Sequence, residues 1–313
     1  MQSAPFEHQS VMPKEVLHWL QPTAGGIYLD GTLGGAGHSC LILEVAAESR
    51  LIGLDRDPAA LQEAAEKLAC FGARVSLHHA TFDQAGEILA QLGVAGLDGM
   101  LLDLGVSSHQ LDTPERGFSF RHDAPLDMRM NPTAGITAAD VVNQADEEEL
   151  RRIFFEYGEE RYSRRIVRKI VAQREESPLT TTDELAELVR QSVPGGYRPS
   201  KIHPATRVFQ ALRIHVNDEL GQLRRGVEVG ISLLKPGGRL VVISFHSLED
   251  RIVKHLFRDK AQGCICPPRL PVCQCHHTPD VKILTRRGIK AGEEEVNQNS
   301  RSRSAILRAA ERC

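Results

Sequence analysis

The chain has 313 residues, 41% of them hydrophobic and 25% charged, with a formal net charge of −3. That is the balance of a soluble globular protein with enough chain for one large or two ordinary domains. No apolar run is long enough to span a bilayer, and the N-terminus lacks the basic and apolar regions of a signal peptide. The expectation is a cytoplasmic protein with no membrane partner. Its charge does not advertise a nucleic-acid binder, so any such contact must rest on a local patch.

The first third alternates strands and helices. Strands are predicted at 27–32, 50–55, 74–80 and 97–104, with helices at 12–20, 38–48, 58–71 and 83–92. This spacing suits βαβ units on a mainly parallel sheet, whose ligands bind at the carboxyl ends of the strands. Those ends carry Asp30, Asp55, the segment Ala80 to Phe82, and Asp103. After the first strand the chain turns through Gly31, Gly34, Gly35 and Gly37 directly into a helix. Glycine there permits positive φ and lets a ligand approach the backbone closely. The second strand ends in Asp55, placed to grip ribose hydroxyls. Strand, glycine turn, helix and acid point to an adenosine-containing cofactor. Cys40 occupies the third position of the dinucleotide fingerprint, and no P-loop lysine follows. On pattern alone S-adenosylmethionine (AdoMet), a dinucleotide and a turn without a ligand all stay open.

The alternation stops after 104. An irregular stretch over 105–133 precedes predicted helices at 138–143, 146–157, 162–175 and 182–192, with Asp146, Ser163 and Thr182 as capping signals. A long helix from Ala205 to Leu234 leads into Pro236-Gly-Gly and a strand over 239–246. A helix at 248–260, with Ser247 and Asp250 in cap spacing, and strands near 281–285 and 304–308 close the chain. One α/β domain interrupted by a helical insertion explains this order. The expected bounds are 1–112 and 203–313 for a Rossmann-like domain and 113–202 for an inserted, mainly helical, substrate-recognition domain.

Several groups carry chemistry. Asp103, with Ser107 and Ser108 beyond it, ends the fourth strand. A carboxylate there suits holding the protons of a poorly nucleophilic, ring-conjugated amine for in-line attack on a methyl sulfonium; capping the following turn is the alternative. Phe118 and Phe120 lie in an arginine-containing loop, either to stack on an unpaired base or to anchor the loop. The segment 162–174 gathers Arg164, Arg165, Arg168, Lys169 and Arg174 without an acid, a phosphate-binding face or a solvated one. His246 follows the fifth strand, as a substrate contact or a structural histidine. Cys264, Cys266, Cys273 and Cys275, with His276 and His277, are dense enough for zinc, although C-x-C is tighter than the usual spacing. A structural zinc and an unmetallated loop both stay open, and no metal ligand is assigned.

These segments together resemble the bacterial 16S ribosomal RNA (cytosine-N4)-methyltransferases, the MraW/RsmH family. The resemblance is carried by Asp30-Gly-Thr-Leu-Gly-Gly-Ala-Gly-His-Ser39, Leu54-Asp-Arg-Asp-Pro58 and Leu101-Leu-Asp-Leu-Gly-Val-Ser-Ser108. It continues through Glu115-Arg-Gly-Phe-Ser-Phe120, Pro125-Leu-Asp-Met-Arg-Met130 and Tyr157-Gly-Glu-Glu-Arg161. His203-Pro-Ala-Thr-Arg-Val-Phe-Gln-Ala-Leu-Arg213 and Ile243-Ser-Phe-His-Ser-Leu-Glu-Asp-Arg251 complete it. It implies a class I AdoMet-dependent methyltransferase fold with an inserted helical domain. The implied reaction is N4-methylation of cytidine 1402 in the decoding centre of 16S rRNA, on the 30S subunit. Carried over by motif, the AdoMet contacts fall on Ala36, Gly37, His38, Asp55, Phe82, Asp103 and Gln110, with Asp103 also the catalytic, amine-orienting residue. A homodimer is left open. A ribosome-assembly protein with a vestigial pocket and a nucleotide-dependent oxidoreductase are the competing readings.

Overall fold

The computed structural model describes residues 10–193, 203–266, 274–275 and 277–313. It divides into two compact units, one of residues 1–105 with 220–313 and one of residues 106–219.

The first unit opens with α1 (Pro13–Leu20), β1 (Ile27–Asp30), α2 (Gly37–Val45), β2 (Arg50–Asp55), α3 (Pro58–Leu68), β3 (Val75–His79), α4 (Ala85–Gln91) and β4 (Leu97–Asp103). The second holds α5 (Ser108–Asp112), α6 (Ala138–Gln144), α7 (Glu147–Glu156), α8 (Ser163–Glu176), α9 (Thr182–Ser192) and α10 (Ala205–Val216). The chain then completes the first unit with α11 (Glu219–Leu233), β5 (Leu234–Ser244), α12 (Ser247–Lys260), β6 (Val281–Ile283), β7 (Ile289–Lys290), α13 (Glu293–Gln298) and β8 (Ile306–Arg312).

The first unit is a sheet in the order β3-β2-β1-β4-β5-β8-β6, with β7 also paired to β8. Strands β1 to β5 run parallel, and β8 is antiparallel to its neighbours β5 and β6. Central strands covered on both faces must be apolar nearly throughout, which Leu51-Ile-Gly-Leu54 and Met100-Leu-Leu102 satisfy. One side is filled by Leu29, Leu54, Met100 and Leu102 with Leu223 and Val227 of α11; the other by Tyr28, Leu51 and Leu101 with Val16 and Leu20 of α1. From β1 the chain moves outward through β2 and β3, then returns to β4 on the opposite side of β1. The carboxyl ends of β1 and β4 therefore flank a topological switch point, where open α/β sheets leave a crevice. Asp30 pairs in register with Leu101 there, and Asp103 lies two residues further along β4.

The second unit is all helical. Leu150, Ile153 and Phe154 of α7 pack with Ile166, Val167 and Ile170 of α8 and Leu185 and Val189 of α9. Val208, Phe209 and Leu212 of α10 belong to this same core, which explains a boundary at 219 rather than 202. The upstream boundary falls after Gly105 rather than Asp112, because Val106 and Leu111 also pack against the helical core.

Local details correct several sequence expectations. The long helix predicted from Ala205 to Leu234 is broken, because Asp218 adopts a left-handed conformation (φ 47°). Beside the break, the buried Asn217 side chain donates to the Met128 and Arg213 carbonyls and accepts from the Met130 N–H. These bonds exchange a helical continuation for a tie to the irregular stretch. Asp146 caps α7 as predicted, accepting from the Glu149 N–H. Ser163 is instead the first, buried residue of α8. Thr181 rather than Thr182 caps α9, closing a reciprocal box with Glu184. Thr182 bonds the chain at His122 and Ala124 instead. At the start of α12 the Glu249 carboxylate accepts from the Phe245 and His246 N–H groups, while Asp250 pairs with Arg308.

Candidate active site

Four strand ends bring the predicted residues of the first unit to one sheet edge. β1 delivers Asp30, which is buried and accepts from the Ser39 hydroxyl (2.7 Å) and the Thr32 N–H (3.2 Å). Desolvation pushes its carboxyl above the ordinary range, against the pull of Ser39, His38 and Thr32. Asp30 thereby fastens the turn to the first turn of α2. Ala36, at the entrance to α2, is left-handed (φ 57°), a conformation unusual for a residue with a Cβ. The strained turn aims α2 so that its N-terminal N–H groups, which have no intrahelical acceptor, open the helix at residues 37–39. Such a terminus suits a carboxylate, including that of a bound amino acid.

Asp55 ends β2. One of its oxygens accepts from the Gly34 N–H and the other from the Asp57 N–H, both at 2.8 Å. Burial raises its pKa to about 6, although both backbone bonds pull it down. Each oxygen retains a lone pair after these bonds, so the carboxylate can fasten the glycine turn and still accept from a ribose diol.

Phe82 begins a short 3₁₀ turn after β3, and its half-buried ring lies against α11. The fit requires glycine twice. A Cβ on Gly226 would come within 2.2 Å of Phe82 Cδ2, and one on Gly31 within 2.7 Å of Phe82 Cβ.

β4 contributes Asp103, whose backbone N–H donates to Thr32 Oγ1 at 2.6 Å. One carboxylate oxygen lies 3.5 Å from Nε2 of the buried His38, an ion-pair contact longer than a normal hydrogen bond. The other oxygen, Oδ1, is buried without a hydrogen-bond partner, as are both His38 ring nitrogens. Burial alone pushes the imidazole down, but contact with Asp103 and the charges of Asp103, Asp30 and Glu295 more than offset this. His38 therefore titrates above its ordinary range. Buried polar atoms left unpaired are rare in native structures and mark a place where a ligand supplies the partner. An amino group fits the unpaired Asp103 oxygen, and the α2 terminus fits a carboxylate. The donor set at this edge therefore suits the amino-acid end of AdoMet, and Asp55 suits its ribose.

In the second unit Gln110 is buried and closes a reciprocal capping box with Ser107 at the start of α5. Phe118 and Phe120 are not exposed: Phe118 is buried, and Phe120 packs against Phe209 and His203 with ring centroids 4.8 Å away in each case. Both anchor their loop. Arg116 donates to the Arg129 and Met130 carbonyls, and Asp127 forms a bidentate pair with Arg129. On α8, Arg164, Arg165 and Arg168 are exposed and make no ion pair among the described residues. Lys169 reaches the Gln191 carbonyl, while Arg174 is drawn onto the Val142 and Ala145 carbonyls at the end of α6. In the first unit His246 Nε2 lies 3.1 Å from Glu249, and neither of its buried ring nitrogens has a hydrogen-bond partner among the described residues. Sequence reasoning missed the contact between His38 and Asp103, since nothing local couples a helix start to a distant strand end.

A parallel sheet with one antiparallel strand in this order, and acids at the ends of β1, β2 and β4, define a class I AdoMet-dependent methyltransferase. The chain belongs to the MraW methylase family, which it matches over residues 5–313. It is 62% identical over 308 residues to the ribosomal RNA small subunit methyltransferase H of Syntrophotalea carbinolica, covering 98% of each chain. It is 59% identical to the protein of the same name from Geobacter sulfurreducens, covering 98% of this chain and 99% of that one. The corresponding protein of Geotalea daltonii is 56% identical over 310 residues, with 99% of both chains covered.

Proposed function

We propose that this methyltransferase acts on small-subunit ribosomal RNA, and that its product is N4-methylcytidine at position 1402 of 16S rRNA within the 30S subunit. Its relatives named for small-subunit rRNA support the substrate class. The observation that carries the chemistry is Asp103, with a buried, unpaired carboxylate oxygen at the switch point of the sheet. When bound, AdoMet supplies an electrophilic methyl group on a sulfonium.

The cytosine amine is a weak nucleophile because its lone pair is delocalised into the ring. Asp103 accepts a hydrogen bond from N4–H, turning the lone pair toward the methyl, and receives the proton N4 loses as it gains that methyl. His38, held beside it, stabilises the carboxylate and fixes its direction. Asp55 holds the ribose, residues 36–38 hold the methionine end, and Phe82 lies near the adenine. Gln110 is assigned to AdoMet by the family motif alone. That unit, the domain read from the sequence as substrate-recognising, meets RNA phosphates through the exposed arginines of α8. The protein acts in the cytoplasm; no helix among the described residues is long and apolar enough to cross a membrane.

Nucleoside mass spectrometry after incubation with AdoMet and unmodified 30S subunits tests the reading, with protein-free 16S rRNA and Asp103→Ala alongside. N4-methylated cytidine from 30S, lost in the variant even at AdoMet concentrations that saturate it, is the expected result. A silent reaction from protein that binds AdoMet overturns the substrate assignment. Unchanged methylation by Asp103→Ala overturns the role of Asp103.

A further inference from the structure

Between Lys260 at the end of α12 and Asp280 before β6, the described residues form no helix or strand. The base of this excursion is firmly closed. The Asp280 N–H donates to the Lys260 carbonyl at 2.8 Å, and the Asp280 carboxylate pairs with Lys260 (3.2 Å) and Arg312 (3.0 Å). Among its described residues Ile265 is 59% exposed.

The sulfurs of Cys264, Cys266 and Cys275 converge there, all within 4.8 Å of one another. Cys264 Sγ and Cys275 Sγ are 3.8 Å apart, and neither is in a disulfide. A tetrahedral zinc with Zn–S bonds of about 2.3 Å has sulfur–sulfur edges of about 3.8 Å. The Gln274 N–H donates to Cys266 Sγ at 3.4 Å, the kind of outer contact that orients a ligating sulfur. Three soft donors brought together by two C-x-C arms, with no carboxylate among them, select zinc over the hard cations.

We propose that Cys264, Cys266 and Cys275 bind a structural zinc ion that staples the segment between α12 and β6. Binding requires all three as thiolates, so each thiol gives up its proton to solvent as its sulfur–zinc bond forms, with no change in oxidation state. The fourth position is not assigned. Cys273, which the sequence also places in this segment, lies outside the described residues. The ion takes no part in methyl transfer. Its role is conformational, and the inference stands whatever the substrate of the enzyme.

The full-length protein, purified without chelator from zinc-supplemented cells, should carry about one zinc per chain by elemental mass spectrometry. Cys264→Ser with Cys275→Ser should lose it while leaving AdoMet affinity unchanged. Cobalt added to the stripped wild-type protein should give the intense thiolate charge-transfer and tetrahedral ligand-field bands. Should the double variant fail to fold, the wild-type protein still decides: added zinc should slow alkylation of all three cysteines by at least about tenfold. A wild-type protein with only trace metal and no cobalt–thiolate band overturns the site. So does a Cys264–Cys275 disulfide in the purified enzyme, or zinc retained by the double variant.

Discussion

Asp55 offers a way to test cofactor binding through protonation alone. Burial raises its pKa to about 6 in the folded chain, above an ordinary value of 3.8. The ionised form accepts from Gly34 and Asp57 and keeps lone pairs for a ribose diol; the protonated form loses acceptor capacity. If the ionised form binds AdoMet, apparent affinity scales with its fraction, about one in eleven at pH 5 and nearly complete at pH 8. Kd should thus rise about tenfold from pH 8 to pH 5, with the bend near pH 6. Bound ribose should also draw the Asp55 pKa downward, so that AdoMet binding at pH 5.5 releases a proton. Folding stability has the opposite sign. The raised pKa contributes about 3 kcal/mol fully below pH 3.8, lost as pH rises through about 6. Isothermal titration calorimetry across pH 5 to 8, in buffers of different ionisation enthalpy, measures affinity and proton release together. Asp30 and His38 titrate close by, so the decisive control is Asp55→Asn, which should bind weakly and lose the bend near pH 6. A Kd flat over this range, or an identical bend in Asp55→Asn, would refute the argument.

Other perturbations separate the remaining contacts. Gly226→Ala sets a Cβ 2.2 Å from the Phe82 ring, where carbon atoms normally keep about 3.5–4 Å, so thermal unfolding should show a loss of about 1–3 kcal/mol. In a Phe82→Ala background the same change should be neutral or stabilising by up to about 1 kcal/mol, since only the helix preference for alanine remains. Equal losses in both backgrounds would disprove the clash. Asn217→Ala strips the Met128 carbonyl and the Met130 N–H of a buried partner and should destabilise by about 2–4 kcal/mol in urea unfolding, against a null effect if the break is merely tolerated. Reversing charge at Arg164, Arg165 and Arg168 together should raise KM for 30S subunits at least about tenfold and flatten its salt dependence. AdoMet affinity should stay fixed, and an unchanged salt slope would remove α8 from the RNA surface.

How far the sequence could reach follows from the range of each interaction. The parallel strands were legible because central strands must be apolar throughout, and α7 because Asp146 caps it from one residue away. The break at Asn217 was not legible. Residues 205–234 carry an uninterrupted helical pattern, and what ends α10 is a side chain bonded to residues 128 and 130. The same holds for Phe118 and Phe120. Their loop composition fits a base-stacking surface as well as an anchor, and only the placement of Phe209 and His203 against Phe120 decides. The arginines of α8 look alike in sequence, yet Arg174 is used up on the end of α6 while Arg164, Arg165 and Arg168 stay exposed.

The sequence alone determined the alternation that builds the sheet, the glycine turn after β1 and an acid at each of three strand ends, because these depend on backbone preferences and periodicity within a few residues. Tertiary structure alone decided that His38 meets Asp103, that Asp55 fastens Gly34, and that three cysteine sulfurs converge. Those contacts join segments distant along the chain. Their distances are set by strand order, register and loop closure, which no local pattern of residues encodes.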